Sequence, residues 1–222
     1  MRKSPTQSST ATKATIAITG LAIIAFLIIH LAGNLLFFAG KGTFNSYSHI
    51  LGDNPVIPII EIGLLAVFLV HVYKTVSNFA GNRAARPERY HMKKMAGYTS
   101  RKSVASSTMI VTGLITLAFV VLHLAQFKFG SATIEPNTHV RDLFALEQAN
   151  FANPFMALFY AISMGVIGFH LWHGTWSALQ SLGLLNTRFM PKVVLAGKIF
   201  ACLIAGGFLI IPVLVFFGVY PH

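Results

Sequence analysis

The chain has 222 residues, of which 55% are apolar and only 10% charged, and its mean hydropathy is +0.66. A soluble domain carries about a quarter charged residues. Lys and Arg exceed Asp and Glu by seventeen to six, which gives a net charge of +11. The apolar residues nevertheless come in unbroken runs about twenty residues long, which is typical of membrane spans and not of nucleic-acid-binding domains. The single cysteine, Cys202, excludes a disulfide framework, an iron–sulfur site held by this chain and a Cys-based zinc site.

Five segments meet the length and hydropathy criteria for crossing a membrane. Backbone groups in lipid must be satisfied within their own segment, so each is predicted to be a helix. We expect an all-α bundle spanning 14–217, with a basic cytoplasmic tail over 1–13 and a short external tail over 218–222. The first segment is too long for the core of a signal peptide and lacks a cleavage site, so it is expected to remain in the mature protein. The predicted helices cover about 14–38, 57–79, 104–127, 154–180 and 193–217.

The basic residues predict the orientation of the bundle. Of the seventeen Lys and Arg residues, fourteen lie on one side of the predicted bundle. They precede the first segment, lie in or beside the connection between the second and third segments, or lie near the start of the fifth segment. Only Lys41, Lys128 and Arg141 lie on the opposite side. The positive-inside rule therefore predicts a cytoplasmic N-terminus and an external C-terminus.

The first and third segments contain an internal repeat. Residues 18–32 read ITGLAIIAFLIIHLA and residues 111–125 read VTGLITLAFVVLHLA, with eight of the fifteen positions identical. Apolar helices resemble one another by composition, but Thr, Gly and His at fixed spacing favour two copies of one unit. Each copy carries a histidine at the same offset.

Five of the nine histidines are predicted at membrane depth: His30, His71, His123, His170 and His173. A lone histidine in a membrane helix is often only a hydrogen-bonded polar residue, but four helices that each carry one indicate a functional site. His30 and His123 fall in the outer half of the bilayer, whereas His71 and the two histidines of the fourth helix fall in the inner half. At 1.5 Å rise per residue the two levels lie roughly 10–15 Å apart.

Two pairs of neutral imidazoles at two depths are suited to two haems b, each with two histidine ligands. Small residues near the histidines leave room for a macrocycle, and Phe26 and Phe119, each four residues before a histidine, could pack on it. A zinc site or a proton relay would require carboxylates, and only Glu61 near the outer end of the second helix offers one. His170 and His173 share a helix face, so either could reach an iron, and spacing leaves this choice open.

Two motifs carry a resemblance to a known family. FHLWHGTWS (169–177) resembles the fourth-helix motif of the di-haem cytochrome b subunit of succinate:quinone oxidoreductases, and FNSYSHILGDNP (44–55) resembles the loop before its second helix. The resemblance covers nearly the whole chain except the basic tail. It implies that His170 is the fourth-helix ligand and that His173 occupies a variable position. Gly168 stands where fumarate reductase members can carry a glutamate, so a proton path through this helix is not expected.

The resemblance implies a five-helix anchor in the bacterial cytoplasmic membrane. His30 and His123 would hold an outer haem b, and His71 and His170 an inner one. The chain would not be an enzyme alone, but the quinone-reactive subunit of succinate dehydrogenase or fumarate reductase. An iron–sulfur subunit and a flavoprotein subunit would bind on the cytoplasmic side, where the basic residues could also contact anionic lipid.

The implied electron acceptor or donor is a quinone, and the resemblance suggests menaquinone near the outer haem. Asn45, His49 and Glu61 are polar residues within reach of that level and are candidate quinone contacts, although such residues more often serve loops and helix ends. His91, His139 and His222 are expected to be solvated or interfacial. The sequence does not decide between succinate oxidation and fumarate reduction.

Three alternative functions predict features that distinguish them from a di-haem anchor. A histidine-lined transporter predicts broken helices and an inverted repeat, whereas this repeat joins two helices that run in the same direction. The cytochrome b of quinol:cytochrome c oxidoreductases carries two histidines about four turns apart on one helix, a spacing absent here. A structural anchor without haem is the third alternative, and haem absorption would decide it.

Overall fold

The computed structural model describes residues 9–85, 104–135, 140–186 and 188–221. The start of the basic tail, most of the connection between the second and third segments, and the interfacial candidates His91, His139 and His222 lie outside these residues. Within the described ranges the chain is almost entirely helical, and the one extended pairing there is an isolated bridge between Ile134 and Arg141.

The described residues contain seven α-helices, five of which are long and apolar enough to cross a membrane: α1, α3, α4, α6 and α7. This confirms the predicted all-α fold with five candidate spans; the direction in which they cross remains a prediction. The helices are α1 (Ser9–Leu35), α2 (Lys41–Asp53), α3 (Ile57–Ala84), α4 (Val104–His123), α5 (Leu143–Ala152), α6 (Pro154–Ser181) and α7 (Met190–Phe216).

Several helices extend beyond the predicted apolar segments. The first helix already begins at Ser9, inside the predicted tail, and is followed by a 3-10 turn over Leu36–Ala39. The α4 helix continues as a π-helical turn over Leu124–Lys128 directly after its histidine. Hydropathy locates the part of a helix that lies in hydrocarbon, but polar residues can continue the same backbone hydrogen bonding beyond it.

The expectation of a loop over residues 44–55 is wrong, because Lys41–Asp53 forms α2. This helix buries Phe44 and Asn45 against the rest of the protein and leaves most of its polar residues exposed. A second short helix, α5, was not predicted; the side chain of Asp142 caps it by accepting a hydrogen bond from the Ala145 N–H at 3.0 Å. Both helices are shorter than the stretch of sequence over which hydropathy is averaged to find membrane spans, so the hydropathy pattern does not predict them.

Four of the long helices surround a common interior. The α1 helix packs against α3 and α6, and α4 packs against α6 and lightly against α3, so α1 lies diagonally opposite α4 and α3 opposite α6. The α7 helix lies outside this group, mainly against α6. No residue of α3 is buried, and Ile59 and Ile62 are 70% and 69% exposed, as expected for a helix whose apolar surface faces lipid.

The α2 and α5 helices cover the end of the bundle at which α1 and α4 finish; we call them the α2–α5 cap. Phe37 is fully buried there and stacks on Phe144 with ring centroids 4.3 Å apart. Tyr220 packs edge-on against both rings, so the described part of the C-terminal tail lies on the cap.

Polar contacts hold the two helices of the cap together. The Asn45 amide donates to Asp142 Oδ1 at 2.9 Å and accepts from the Phe144 N–H at 3.0 Å. Lys41 Nζ lies 2.9 Å from Asp142 Oδ2. Burial raises the pKa of the Asp142 carboxyl, but hydrogen bonds from Asn45 and Lys41 outweigh it and hold the pKa below its usual range.

Candidate functional site

His30 of α1 and His123 of α4 meet in the interior, below the α2–α5 cap. Their ring centroids lie 5.8 Å apart with the ring planes at 81°. Phe26 stacks on His30 at 5.2 Å, and Phe119 stacks on His123 at 5.6 Å. Each phenylalanine thus packs parallel to the imidazole one turn further along its helix and restricts its rotation. We call His30 and His123 the outer pair.

A chain of polar side chains supports His123. Its Nδ1 lies 3.4 Å from the hydroxyl of Tyr160, which donates its hydrogen to Gln126 Oε1 at 2.5 Å. The Gln126 amide in turn donates to the sulfur of Met156. Because the one hydroxyl hydrogen of Tyr160 is engaged, its oxygen accepts from the N–H at Nδ1 of His123. The lone pair of this imidazole is therefore at Nε2.

His71 of α3 and His170 of α6 occupy equivalent settings on diagonally opposed helices. His71 Nδ1 lies 3.1 Å from the hydroxyl of Thr19 on α1, and His170 Nδ1 lies 3.2 Å from that of Thr112 on α4. Each of the two imidazoles thus contacts a threonine of a neighbouring helix. We call His71 and His170 the inner pair, after the level that the sequence predicts for them.

The two pairs lie at different levels of the bundle. Thr19 touches the inner pair, and His30 follows it by eleven residues on the same helix; Thr112 and His123 are separated by the same number. Eleven residues of α-helix rise about 16 Å. This is close to the separation expected from the sequence.

The donor sets fit the two axial positions of a haem. Among the described residues, nothing hydrogen-bonds the Nε2 of His71, His123 or His170. An imidazole ligand typically donates one ring N–H to the protein and uses the other nitrogen for the metal. No group of three His, Cys, Asp or Glu side chains occurs in the described ranges that could hold a metal ion, so the arrangement there is one of pairs.

His30 differs from the other three. The side-chain amide of Asn34, one turn further on, donates to the His30 carbonyl at 2.7 Å and lies 3.3 Å and 3.4 Å from the two ring nitrogens. Phe208 of α7 also packs against the imidazole, with ring centroids 5.7 Å apart. No hydroxyl acceptor corresponding to those of the other histidines contacts His30 in the described part of the chain.

His173 is not brought against a histidine of another helix. Its ring packs edge-on against Trp176 at 4.8 Å, and its buried Nδ1 has no hydrogen-bond partner within the described residues. His170, by contrast, lies against Thr112. Of these two histidines of α6, His170 is thus the one with a hydrogen-bond partner on a neighbouring helix in the described part of the chain.

The three quinone candidates all have partners within the protein. Asn45 uses both its donor and its acceptor inside the α2–α5 cap, which is a structural role. His49 lies half-exposed on α2 with its Nε2 3.3 Å from Asp53, and Glu61 pairs with Lys128. Among the described residues, no hydrogen bond or ion pair joins any two of these candidates.

The repeat extends further than the sequence comparison indicated. In both halves a long helix is followed by a short helix and then by a long helix that carries an inner histidine. Asn54–Pro55 leads into α3 and Asn153–Pro154 opens α6, and each asparagine side chain accepts from the N–H two residues ahead at 2.9 Å. The unit is thus three helices long.

The sequence reasoning missed several residues that support the histidines. The threonines that contact the inner pair could have been found from the sequence, since Thr and Gly are identical in both copies of the repeat, but their contact with another helix was not predicted. No sequence feature indicated Tyr160 or Gln126, because a single polar residue in an apolar helix does not show which way it faces.

Comparisons of the chain with protein-family models, with curated proteins and with solved structures find no match.

Proposed function

We propose that this chain is the di-haem cytochrome b membrane anchor of a succinate:quinone oxidoreductase. It would hold an outer haem b through His30 and His123 and an inner haem b through His71 and His170, and link an iron–sulfur subunit to a membrane quinone. The observation that carries the proposal is the convergence of four histidines, from diagonally opposed helices, into two pairs at two levels.

When bound, haems b supply reversible one-electron transfer at potentials set by their ligands and surroundings. The chain's own residues would ligate, orient and enclose them. Thr19, Thr112 and Tyr160 hold three of the imidazoles by Nδ1. Phe26 and Phe119 restrict the rings of the outer pair, and the surrounding apolar helices limit access of water.

The membrane setting and the resemblance support the partners. Five helices that are long and apolar enough to span a membrane suit an anchor, and the FHLWHGTWS motif resembles that of the anchor subunits. The bacterial cytoplasmic membrane would hold the chain, with its basic end facing the iron–sulfur and flavoprotein subunits. Basic residues described at that end are Lys13, Lys74, Arg83, Arg188, Lys192 and Lys198.

A quinone would react near the outer pair, and the resemblance suggests menaquinone. Its full reduction consumes two electrons and two protons, so the site must have access to both. Glu61 and His49 lie at this end of the bundle with side chains about half-exposed, and they remain the candidates for contact with the quinone. The side-chain amide of Asn45 is engaged in hydrogen bonds within the α2–α5 cap.

Single histidine variants test the assignment of the two pairs. The chain is expressed in membranes, solubilised, and its haem content and reduced spectrum are measured. His71→Ala should remove or loosen one haem, and His123→Ala the spectrally distinct other one. His49→Ala is the matched control, since this histidine is half-exposed on α2, and it should retain both haems.

Two outcomes would contradict the proposal. If His173→Ala loses a haem and His170→Ala does not, the ligand from α6 is wrong. If the unaltered chain has no haem absorption at all, the function is wrong, and a histidine-lined transporter or a haem-free anchor becomes the better account.

A further inference from the structure

The Thr–Gly dipeptide is repeated in both copies of the internal repeat, yet in neither copy does it contact the histidine of its own helix. Thr19 contacts His71 of α3, and Thr112 contacts His170 of α6. Each repeated helix therefore carries one outer histidine and, eleven residues earlier, supports an inner histidine that belongs to a different helix.

The hydrogen bonds of the threonine hydroxyls indicate which nitrogen of each inner histidine carries the proton. The hydroxyl of Thr19 donates to the carbonyl of Thr15 at 2.7 Å, and that of Thr112 donates to the carbonyl of Met109 at 3.2 Å. Each hydroxyl oxygen is then left to accept from the imidazole. Nδ1 faces the hydroxyl in both histidines, so it is the donor, and Nε2 keeps its lone pair.

The glycine beside each threonine provides room for the same imidazole. A Cβ at Gly20 would lie 3.2 Å from Cε1 of His71, and a Cβ at Gly113 would lie 3.2 Å from Cε1 of His170. These distances are shorter than ordinary carbon–carbon contacts of about 3.5–4.0 Å. The ring therefore approaches the helix backbone closely at a place where only glycine leaves the space free.

We propose that Thr19–Gly20 and Thr112–Gly113 are positioning elements that orient the two inner histidines and tune the inner haem. This inference rests on the proposed haem function and adds residues to it. The threonine makes the imidazole more electron-rich by accepting from its N–H, which stabilises the oxidised iron. The glycine sets how far the ring lies from the helix axis.

The effect should be confined to the inner haem. His123 of the outer pair is held by Tyr160 instead, and His30 has no hydroxyl acceptor in the described part of the chain. Substitutions at the Thr–Gly pairs should therefore alter one haem and leave the other as an internal reference in the same sample.

The experiment compares Thr112→Val with Thr108→Val in the solubilised full chain. Thr108 lies one turn earlier on α4 and also donates to a carbonyl of its own helix, but it contacts no histidine. Thr112→Val should raise the midpoint potential of the inner haem and weaken its retention roughly ten- to a hundredfold. Thr112→Ser should restore both values, and Thr108→Val should change neither.

The first copy of the repeat offers an independent test with its own control. Thr19→Val should act on the inner haem as Thr112→Val does, whereas Thr15→Val should not, since the Thr15 hydroxyl donates to the Ala11 carbonyl and not to a histidine. Gly113→Ala tests the steric part: it should change the low-spin electron paramagnetic resonance signal of the inner haem by rotating His170.

The outcomes separate this inference from the function on which it rests. If the unaltered chain holds two haems and Thr112→Val behaves like Thr108→Val in potential and retention, the positioning role is wrong and the haem function stands. If Thr112→Ser fails to restore what Thr112→Val loses, the hydroxyl is not the responsible group, which also overturns the inference. An unaltered chain without haem overturns both.

Discussion

Glu147 is a buried acid of the α2–α5 cap, and its substitution by glutamine should change how the stability of the protein depends on pH. The side chain is only 5% exposed and lies on α5, outside the spanning helices. Burial raises the pKa of its carboxyl from the ordinary 4.5 to about 8, because the charged form loses its hydration. In the folded protein the Glu147 carboxyl is therefore protonated and uncharged at pH 7.

The size of the effect follows from the two pKa values. In the unfolded chain the carboxyl loses its proton near pH 4.5, whereas in the folded chain it keeps the proton up to about pH 8. The contribution of Glu147 to the free energy of unfolding is therefore largest below pH 4.5 and falls as the pH rises towards 8. One pKa unit corresponds to about 1.4 kcal/mol, so the loss at pH 7 is about 3 kcal/mol.

The assay is unfolding of the solubilised protein by titration with a denaturing detergent, measured between pH 4.5 and pH 8.5. Glu147→Gln keeps the shape of the neutral acid and does not titrate. Any change in packing that it causes is independent of pH, so the informative quantity is the difference between the two proteins as the pH changes. The free energy of unfolding of the variant, relative to that of the unaltered chain, should rise by about 3 kcal/mol between pH 4.5 and pH 7.

Parallel stability curves for the two proteins would refute the reasoning, since they would mean that Glu147 is not held neutral by burial. Asp142→Asn supplies a control of opposite sign. Hydrogen bonds from Asn45 and Lys41 lower the pKa of Asp142, so its contribution is lost when the pH falls through the folded-state pKa, and the variant should lack this part of the acid sensitivity.

Three further substitutions test the packing and charges of the outer end by the same titration. Gly33→Ala should destabilise the protein by about 1–3 kcal/mol, because a Cβ there would lie 2.7 Å from the ring of Tyr47 and push α2 from α1. Lys41→Met should let the pKa of Asp142 rise towards its ordinary value, because it removes an ion pair and a hydrogen bond, and so move acid unfolding to higher pH. Glu61→Gln should cost less than about 1 kcal/mol, because its ion pair is about half-exposed.

Each of these expectations has a contrary result. Unchanged stability of Gly33→Ala would mean that α2 moves freely against α1. An unchanged acid midpoint for Lys41→Met would mean that the hydrogen bonds from Asn45 and Ala145 set the ionisation of Asp142 without Lys41. A large loss of stability in Glu61→Gln would mean that its pair with Lys128 is buried in the membrane-bound protein.

The depth of the histidines could be predicted from the sequence because helix rise is fixed and the spans alternate in direction. Counting residues from the ends of the segments was enough to group His30 with His123 and His71 with His170. In the structure the rings of His30 and His123 lie 5.8 Å apart, and His71 and His170 contact threonines at the other level of the bundle. The role of these residues as haem ligands stays a prediction.

The arrangement of neighbouring helices could not be predicted in the same way. A span is apolar on the side that faces lipid and on the side that faces other helices, so periodicity does not show which face of α3 or α6 points inward. For the same reason the sequence does not predict the contact of Thr19 with His71, although the repeat contains this threonine. The position of α7 outside the four-helix group also depends on packing alone.

The α2–α5 cap shows the opposite limitation: the chemistry of a polar side chain is evident from the sequence, but its partners are not. The sequence makes Asn45 a candidate quinone contact, because a polar residue near the outer level has an obvious chemical use. In the fold it joins α2 to α5 through two hydrogen bonds and is only 3% exposed. The partners of a polar side chain in a connecting segment come from residues almost a hundred positions away, and no local pattern predicts them.

The most direct test of the central claim is the amount of haem b per chain, measured by pyridine haemochrome on the purified, solubilised protein together with its dithionite-reduced spectrum. Two haems per chain, with α-bands that two histidine-ligated centres at different potentials produce, are the predicted result. No haem, or a single haem that survives both His71→Ala and His123→Ala, would contradict the account.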